Sequence, residues 1–142
     1  TAFFSSLAHI SAKSASKATI PTAVNVPFTL NGDDRLQIIF PQVLPRERLD
    51  SIRIDYEGAP AIVDFGSFST DTHQGTPVLW TLSEPYGAKE WWPCKQSLND
   101  KIDAIDVIVR TPRAYRVASN GLLVSEITDE THTTYHWQHR YP

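Results

Sequence analysis

Apolar and polar residues in this chain alternate with a period of two, which excludes most helical folds before anything else is weighed. Ile52, Ile54 and Tyr56 point one way while Ser51, Arg53 and Asp55 point the other. The same holds for Leu36, Ile38 and Phe40 against Gln37, and for Ile105, Val107 and Val109 against Asp106 and Arg110. Successive side chains of a strand leave on opposite faces, so each run describes a strand with one face toward a core and the other toward water. No window carries the i, i+3, i+4 repeat of a convincing amphipathic helix.

Turn residues divide these runs. Residues 3–10 read as a first strand and the Ser/Ala/Lys patch at 11–17 as a turn or loop. Residues 23–30 alternate and stop at Asn31-Gly32-Asp33, a strong hairpin signal. Pro41 and Pro45 bracket a connection, and Gly58 and Pro60 end the strand that holds Ile52. Residues 62–76, rich in Gly, Ser and Thr, read as a loop with His73 near its tip, and residues 78–82 as an apolar strand with Trp80 in the core. Pro112 stops the strand that begins near Ile105, and residues 115–119 and 122–127 read as short strands about Asn120-Gly121, a pair suited to a type I′ turn. Thr128-Asp129-Glu130-Thr131 turns the chain into a last strand over residues 132–141. The expected fold is one all-β domain spanning residues 1–142, roughly eight to ten strands in mostly antiparallel sheets with a sandwich or saddle shape.

Composition narrows the function classes. The 142 residues suffice for about one domain with a real core, and shares of 41% hydrophobic and 20% charged residues are those of a globular protein. A net charge of -3 gives no basic footprint for nucleic acid. No run of about 18 apolar residues is present to span a membrane as a helix. Cys94 is the sole cysteine, so no internal disulfide can form. With no methionine and a start that already reads as strand, the sequence is expected to be a piece of a longer protein.

The densest chemistry lies in residues 78–101, where an apolar strand leads into three aromatics, two prolines, the cysteine and several charges. Such a segment is expected to leave the ladder and form a site wall or an interface. Its pattern T-x-S-E-P-x-G-A-(K/R)-x-W-(F/W)-P-C, followed by Asn99-Asp100-Lys101, resembles the signature of the amino-terminal β-domain of M1-family zinc aminopeptidases, the gluzincins that include aminopeptidase N and leukotriene A4 hydrolase. The specific part of the resemblance runs from Gly66 to Gly121, from F-G-S-F-S to S-N-G-L-L, and residues 1–65 are compatible with the same domain. The chain departs from the pattern at Leu82, near which many members carry a glutamine; any substrate contact made by that amide does not carry over.

The resemblance implies a role for Glu84. In the family the glutamate of this motif reaches into the active-site cleft and holds the free α-ammonium of the substrate. Physically, a carboxylate in a partly desolvated pocket selects a chain end because an internal peptide lacks the ammonium that would pair with it. Pro85 biases Glu84 toward extended backbone. Ser83, Pro85 and Tyr86 are the expected cleft wall. Against this stands a solvated Glu84, or one paired with Lys89 or Lys95. Glu90 is the weaker candidate, because its aromatic neighbours suggest a structural position.

The family's zinc chemistry needs a G-x-M-E-N loop, a helix with H-E-x-x-H, a distal glutamate ligand and an oxyanion-stabilising tyrosine, none of which is in these 142 residues. Catalysis and the zinc cofactor are therefore expected in a catalytic domain of the parent enzyme. This chain would bind the substrate amino terminus and pack on that domain. His132 and His136 form H-x-x-x-H, but on a strand they stand about 13 Å apart and cannot share an ion. Cys94, beside Trp92-Pro93, reads as a packed thiol rather than a nucleophile. Trp80, Trp91, Trp92 and Tyr86 admit a sugar-stacking platform, with core packing as the plainer reading. A second function class stays open: a stand-alone β-sandwich module binding carbohydrate or protein.

Overall fold

The computed structural model describes residues 2–3, 9–16, 24–33, 35–47, 50–60 and 67–142. Among them the chain is all-β and antiparallel throughout, with a single short 3-10 turn. No helix among the described residues is long and apolar enough to cross a membrane. The chain divides into two compact units, Thr1–Gln96 and Ser97–Pro142.

In the first unit, strands β1 (Ala2–Phe3), β5 (Arg35–Ile38) and β4 (Phe28–Leu30) form one sheet in the order β1-β5-β4. Strands β3 (Val24–Asn25), β2 (His9–Ser16) and β6 (Asp50–Glu57) form another, ordered β3-β2-β6, and β7 (Phe68–His73) pairs with β8 (Thr76–Thr81). The run that begins near Val24 changes sheets at Val26-Pro27: Asn25 pairs with Lys13 of β2, while Phe28 pairs with Ile38 of β5. Proline suits the crossing because it has no N–H to leave unpaired, and its carbonyl accepts from Ile39 N at 2.9 Å. Val26 and Leu36 are the buried apolar residues of this unit among those described. Fully burying a side chain such as Leu36 stabilises a fold by about 1.5–3 kcal/mol.

Four sequence expectations change here. Residues 11–16 are strand, not loop, because β6 supplies a full antiparallel partner from His9↔Glu57 to Ser16↔Asp50. Residues 68–73 are strand too, because Gln74 and Gly75 both take positive φ (51° and 79°) and so build a two-residue turn that returns the chain as β8. The remainder of the expected loop at 62–66, and the parts of the first strands at 4–8 and residues 17 and 23, lie outside the described residues. Trp80 is not core but 46% exposed, since β8 is an edge strand of a two-stranded ribbon. On β6 the expected sidedness is only half realised: Arg53 Nε meets Asp55 Oδ1 at 2.8 Å on the polar face, yet Ile52 and Tyr56 are exposed rather than buried and Ile54 alone is half-buried.

The second unit is a three-stranded sheet, β10 (Leu122–Thr128), β11 (His132–Arg140) and β9 (Ala104–Pro112), with β11 in the centre. Ile105, Val107 and Val109 lie on its better-covered side as the alternation requires, opposite His139, Trp137 and Tyr135. The expected strand at 115–119 does not form, so Asn120-Gly121 is not the turn of a hairpin. Gly121 instead combines a φ of 91° with a backbone so near β11 that a Cβ would stand 2.1 Å from the Gln138 carbonyl oxygen. The tightest device in this sheet is the β10–β11 turn. Asp129 Oδ1 accepts from the backbone N–H groups of Thr131 (2.9 Å) and His132 (2.8 Å), and Oδ2 accepts from Arg110 Nη2 at 2.9 Å.

Those bonds, the Thr131 N–H first and then Arg110 and His132, hold the Asp129 carboxyl far below the usual carboxylate range. A lowered folded-state pKa adds stability that is full above the ordinary value near about 3.9 and is lost as pH falls toward the folded value. The variant Asp129→Ala is therefore expected to melt below the wild type at pH 7, with the gap closing as pH is taken from 5 to 2. Circular dichroism melts at each pH measure it; a gap that stays constant would assign the effect to something other than the ionised carboxylate.

Candidate functional site

The candidate site grows from the end of the β7–β8 ribbon. Its last backbone rung is Leu82 N to Ser67 O at 3.0 Å, after which the chain leaves the ladder. Since Ser69 pairs with Trp80, residues two apart on each side share a face: Val78, Trp80 and Leu82 stand on it, with Ser67, Ser69 and Asp71 across. Residues 84–86 then turn, the Glu84–Pro85 bond being cis, and Gly87–Glu90 form the 3-10 turn. Gly87 N donates to Ser83 O at 3.2 Å, and Trp91 and Trp92 N–H groups close on Ala88 O at 3.2 and 3.1 Å.

Glycine at position 87 is a packing requirement. A Cβ there would lie 2.3 Å from Ser67 Oγ and 3.2 Å from the Leu82 carbonyl oxygen. The turn is thus seated directly on the ribbon's last rung. It is pinned from the other end by Trp91, whose ring lies 6.0 Å from Phe68 and 6.0 Å from Trp92, and whose Nε1 donates to Ser83 Oγ at 3.4 Å.

Between the ribbon end and the turn lies a cavity of about 300 Å³. Its wall includes Glu84, Pro85 and Tyr86, three of the four positions singled out from the sequence. Ser83, the fourth, does not line it but holds the turn through Gly87 and Trp91. Sequence reasoning missed Ser67, Leu82, Gly87 and Lys89, which complete the wall together with Glu90. For Ser67 no local signal was available, because its place depends on a strand pairing across fifteen positions; Leu82 and Gly87 sit inside the motif itself.

Glu84 is exposed and makes no hydrogen bond or ion pair among the described residues. Of the two plainer alternatives, a Glu84 paired with Lys89 or Lys95 is not realised, whereas a solvated Glu84 matches its exposure. Lys89 Nζ instead lies 3.8 Å from Glu90 Oε1, and Glu90 is half-buried, as its structural reading required. The cavity therefore offers one unpaired carboxylate beside the apolar surfaces of Leu82, Pro85 and Tyr86. That combination suits a cation that carries an apolar group.

The other candidates are placed as follows. Cys94 is half-buried; burial pushes its thiol pKa up, against the opposing Gln96 Nε2 donor at 3.2 Å and the Lys89 charge. That raises the thiol away from the reactive thiolate. His132 and His136 lie on strand β11 as expected, and His136 Nε2 stands 2.6 Å from Asp106 Oδ1. Among the described residues no three His, Cys, Asp or Glu side chains converge as a metal site. No family model and no curated protein matches the sequence.

The contact at Gly87 yields a test. Gly87→Ala is expected to force the turn off Ser67 and Leu82, costing about 1–3 kcal/mol as overpacking does, and to shift tryptophan emission as Trp91 loses its fit against Phe68. Urea unfolding followed by fluorescence measures both, and a variant indistinguishable from wild type would show that the turn is not seated on the ribbon.

Proposed function

We propose that this chain is the non-catalytic amino-terminal β-domain of an M1-type zinc aminopeptidase, of sandwich or saddle form, and that Glu84 binds the free α-ammonium of peptide substrates. The observation that carries the reading is the unpaired Glu84 on the wall of a partly apolar cavity, at the position where the T-x-S-E-P-x-G-A motif sets the family's ammonium-binding glutamate. Pro85 and Tyr86 are the parts of the wall next to Glu84 that the substrate's first residue would meet. The reading assigns zinc and peptide hydrolysis to a catalytic domain of the same parent chain.

The exposure of Trp80 (46%) and Tyr86 (52%) favours a second reading, a stand-alone β-sandwich module that stacks sugar rings or docks a protein. The coding sequence after Pro142 separates the two: G-x-M-E-N and H-E-x-x-H motifs belong to the first, a stop codon or an unrelated domain to the second.

In the intact enzyme, Glu84→Ala is expected to weaken free-amine substrates by about 2–5 kcal/mol if the ion pair is desolvated. The check is kcat/KM on aminoacyl reporter substrates beside the affinity of an amine-blocked analogue. Equal losses on both would point to misfolding and would remove the ammonium assignment.

A further inference from the structure

Strand β9 is one edge of the second unit's sheet, and among the described residues its outer side has no strand partner. The backbone groups on that side follow from the bonds at its two ends. Arg113 N donates to Thr131 O, and Tyr141 N donates to Asp103 O. Between them the β9–β11 register runs unbroken from Ala104↔Arg140 to Pro112↔His132. The rungs of an antiparallel pair fall on alternate residues. Ile105, Val107, Val109 and Thr111 therefore bond to β11, while Ala104, Asp106, Ile108 and Arg110 turn their N–H and C=O groups outward. Pro112 belongs to the outward set as well, so its missing N–H costs this sheet no bond.

Native sheets blunt such an edge with bulges, lysines or short strands. The opposite edge, β10, has a bulge between Leu123 and Ser125; β9 has neither bulge nor lysine over its nine residues. Its outward positions are also self-complementary. Turned antiparallel about Ile108, a second β9 sets Asp106 opposite Arg110 in both directions, Ile108 opposite itself, and Val107 opposite Val109 on the other face. Opposite charges and β-branched pairs directly across a ladder stabilise it, whereas like charges do not. Centring the pair on Asp106 or Arg110 would oppose like charges, and centring it on Val107 or Val109 would set both charges against apolar residues. The three outward side chains are on offer: Ile108 is 65% exposed, and the side chains of Asp106 and Arg110 are 47% and 55% exposed. Each charge is also held in position by its own sheet, Asp106 Oδ1 by His136 Nε2 at 2.6 Å and Arg110 Nη2 by Asp129 Oδ2 at 2.9 Å.

We propose that two copies of this chain join through β9, antiparallel and centred on Ile108, so that two three-stranded sheets become one six-stranded sheet about a two-fold axis. The partner is a second copy because the charge pattern of the edge complements itself. The proposal stands apart from the reading of Glu84, which lies in the other unit.

The test is sedimentation equilibrium of the chain across a range of concentrations. The wild type is expected to rise from 16.0 kDa toward twice that mass. Asp106→Arg and Arg110→Asp each oppose like charges and should stay monomeric, while an equal mixture of the two restores opposite charges and should dimerise. Ile108→Lys keeps both charges and sets an ammonium against its own copy at an exposed position. It should also stay monomeric, and it carries the test where a charge reversal loses its circular dichroism spectrum. A wild type that remains monomeric at its highest soluble concentration leaves the edge to a strand of different sequence and overturns the proposal. An Ile108→Lys variant that dimerises like the wild type does the same, by placing the contact elsewhere. Folded charge variants that fail to dimerise on mixing would overturn the register centred on Ile108.

Discussion

One backbone hydrogen bond, from Leu82 N to Ser67 O, sets the geometry on which the candidate site depends. It is the last rung of the β7–β8 ribbon, and it fixes where the ladder stops and the irregular segment begins. Because Gly87 rests on the two residues that this rung joins, the turn carrying Glu84 and Tyr86 is indexed to the ribbon rather than swinging from it. The rung in turn depends on the Gln74-Gly75 turn at the far end, since a change of one residue there would move Ser67 to the other face.

The cavity's electrostatics follow from which charges already have partners. Lys89 and Glu90 both line the wall but lie 3.8 Å from each other, so the net unpaired charge of the wall is that of Glu84. In the second unit the logic is opposite: Asp129 and Asp106 spend their acceptor capacity on the Thr131, Arg110 and His136 donors that fix turns and strand neighbours. Carboxylates used in that way support the sheet and have little left for a ligand. Among the described residues that line the cavity, Glu84 is the carboxylate without such a partner.

Much of the fold could be read from the sequence wherever side-chain alternation and turn residues agreed. β9 satisfied both tests, with Ile105, Val107 and Val109 on one face and Pro112 at the end, and it formed as expected. β2 and β7 failed the first test, being rich in Ser, Thr and Ala, and they form because β6 and β8 offer complete partners, which no local window reveals. Asn120-Gly121 failed differently: the positive φ is real, but it serves the close approach to Gln138 rather than a hairpin. Likewise, Trp80 was misjudged because apolar content indicates a strand, while burial requires a neighbour on its face. At the candidate site, Glu84, Pro85 and Tyr86 were singled out through the resemblance of their motif and do line one cavity, whereas the place of Ser67 in that wall became visible only through cross-strand register.

Magnitudes decide how such a site must work. An ion pair left in water contributes about 0–1 kcal/mol, too little to separate a chain end from the many internal peptide groups that surround it. The same pair with solvent excluded is worth several-fold more, and leaving the carboxylate unpaired then becomes a penalty against every ligand without the charge. Leu82 and Tyr86 are 42% and 52% exposed beside Glu84, so the cavity of this chain is open on one side. On the proposed reading, selection by Glu84 would gain its strength only where another surface closed over the bound amine, because the dielectric requirement separates a recognising wall from a covering one.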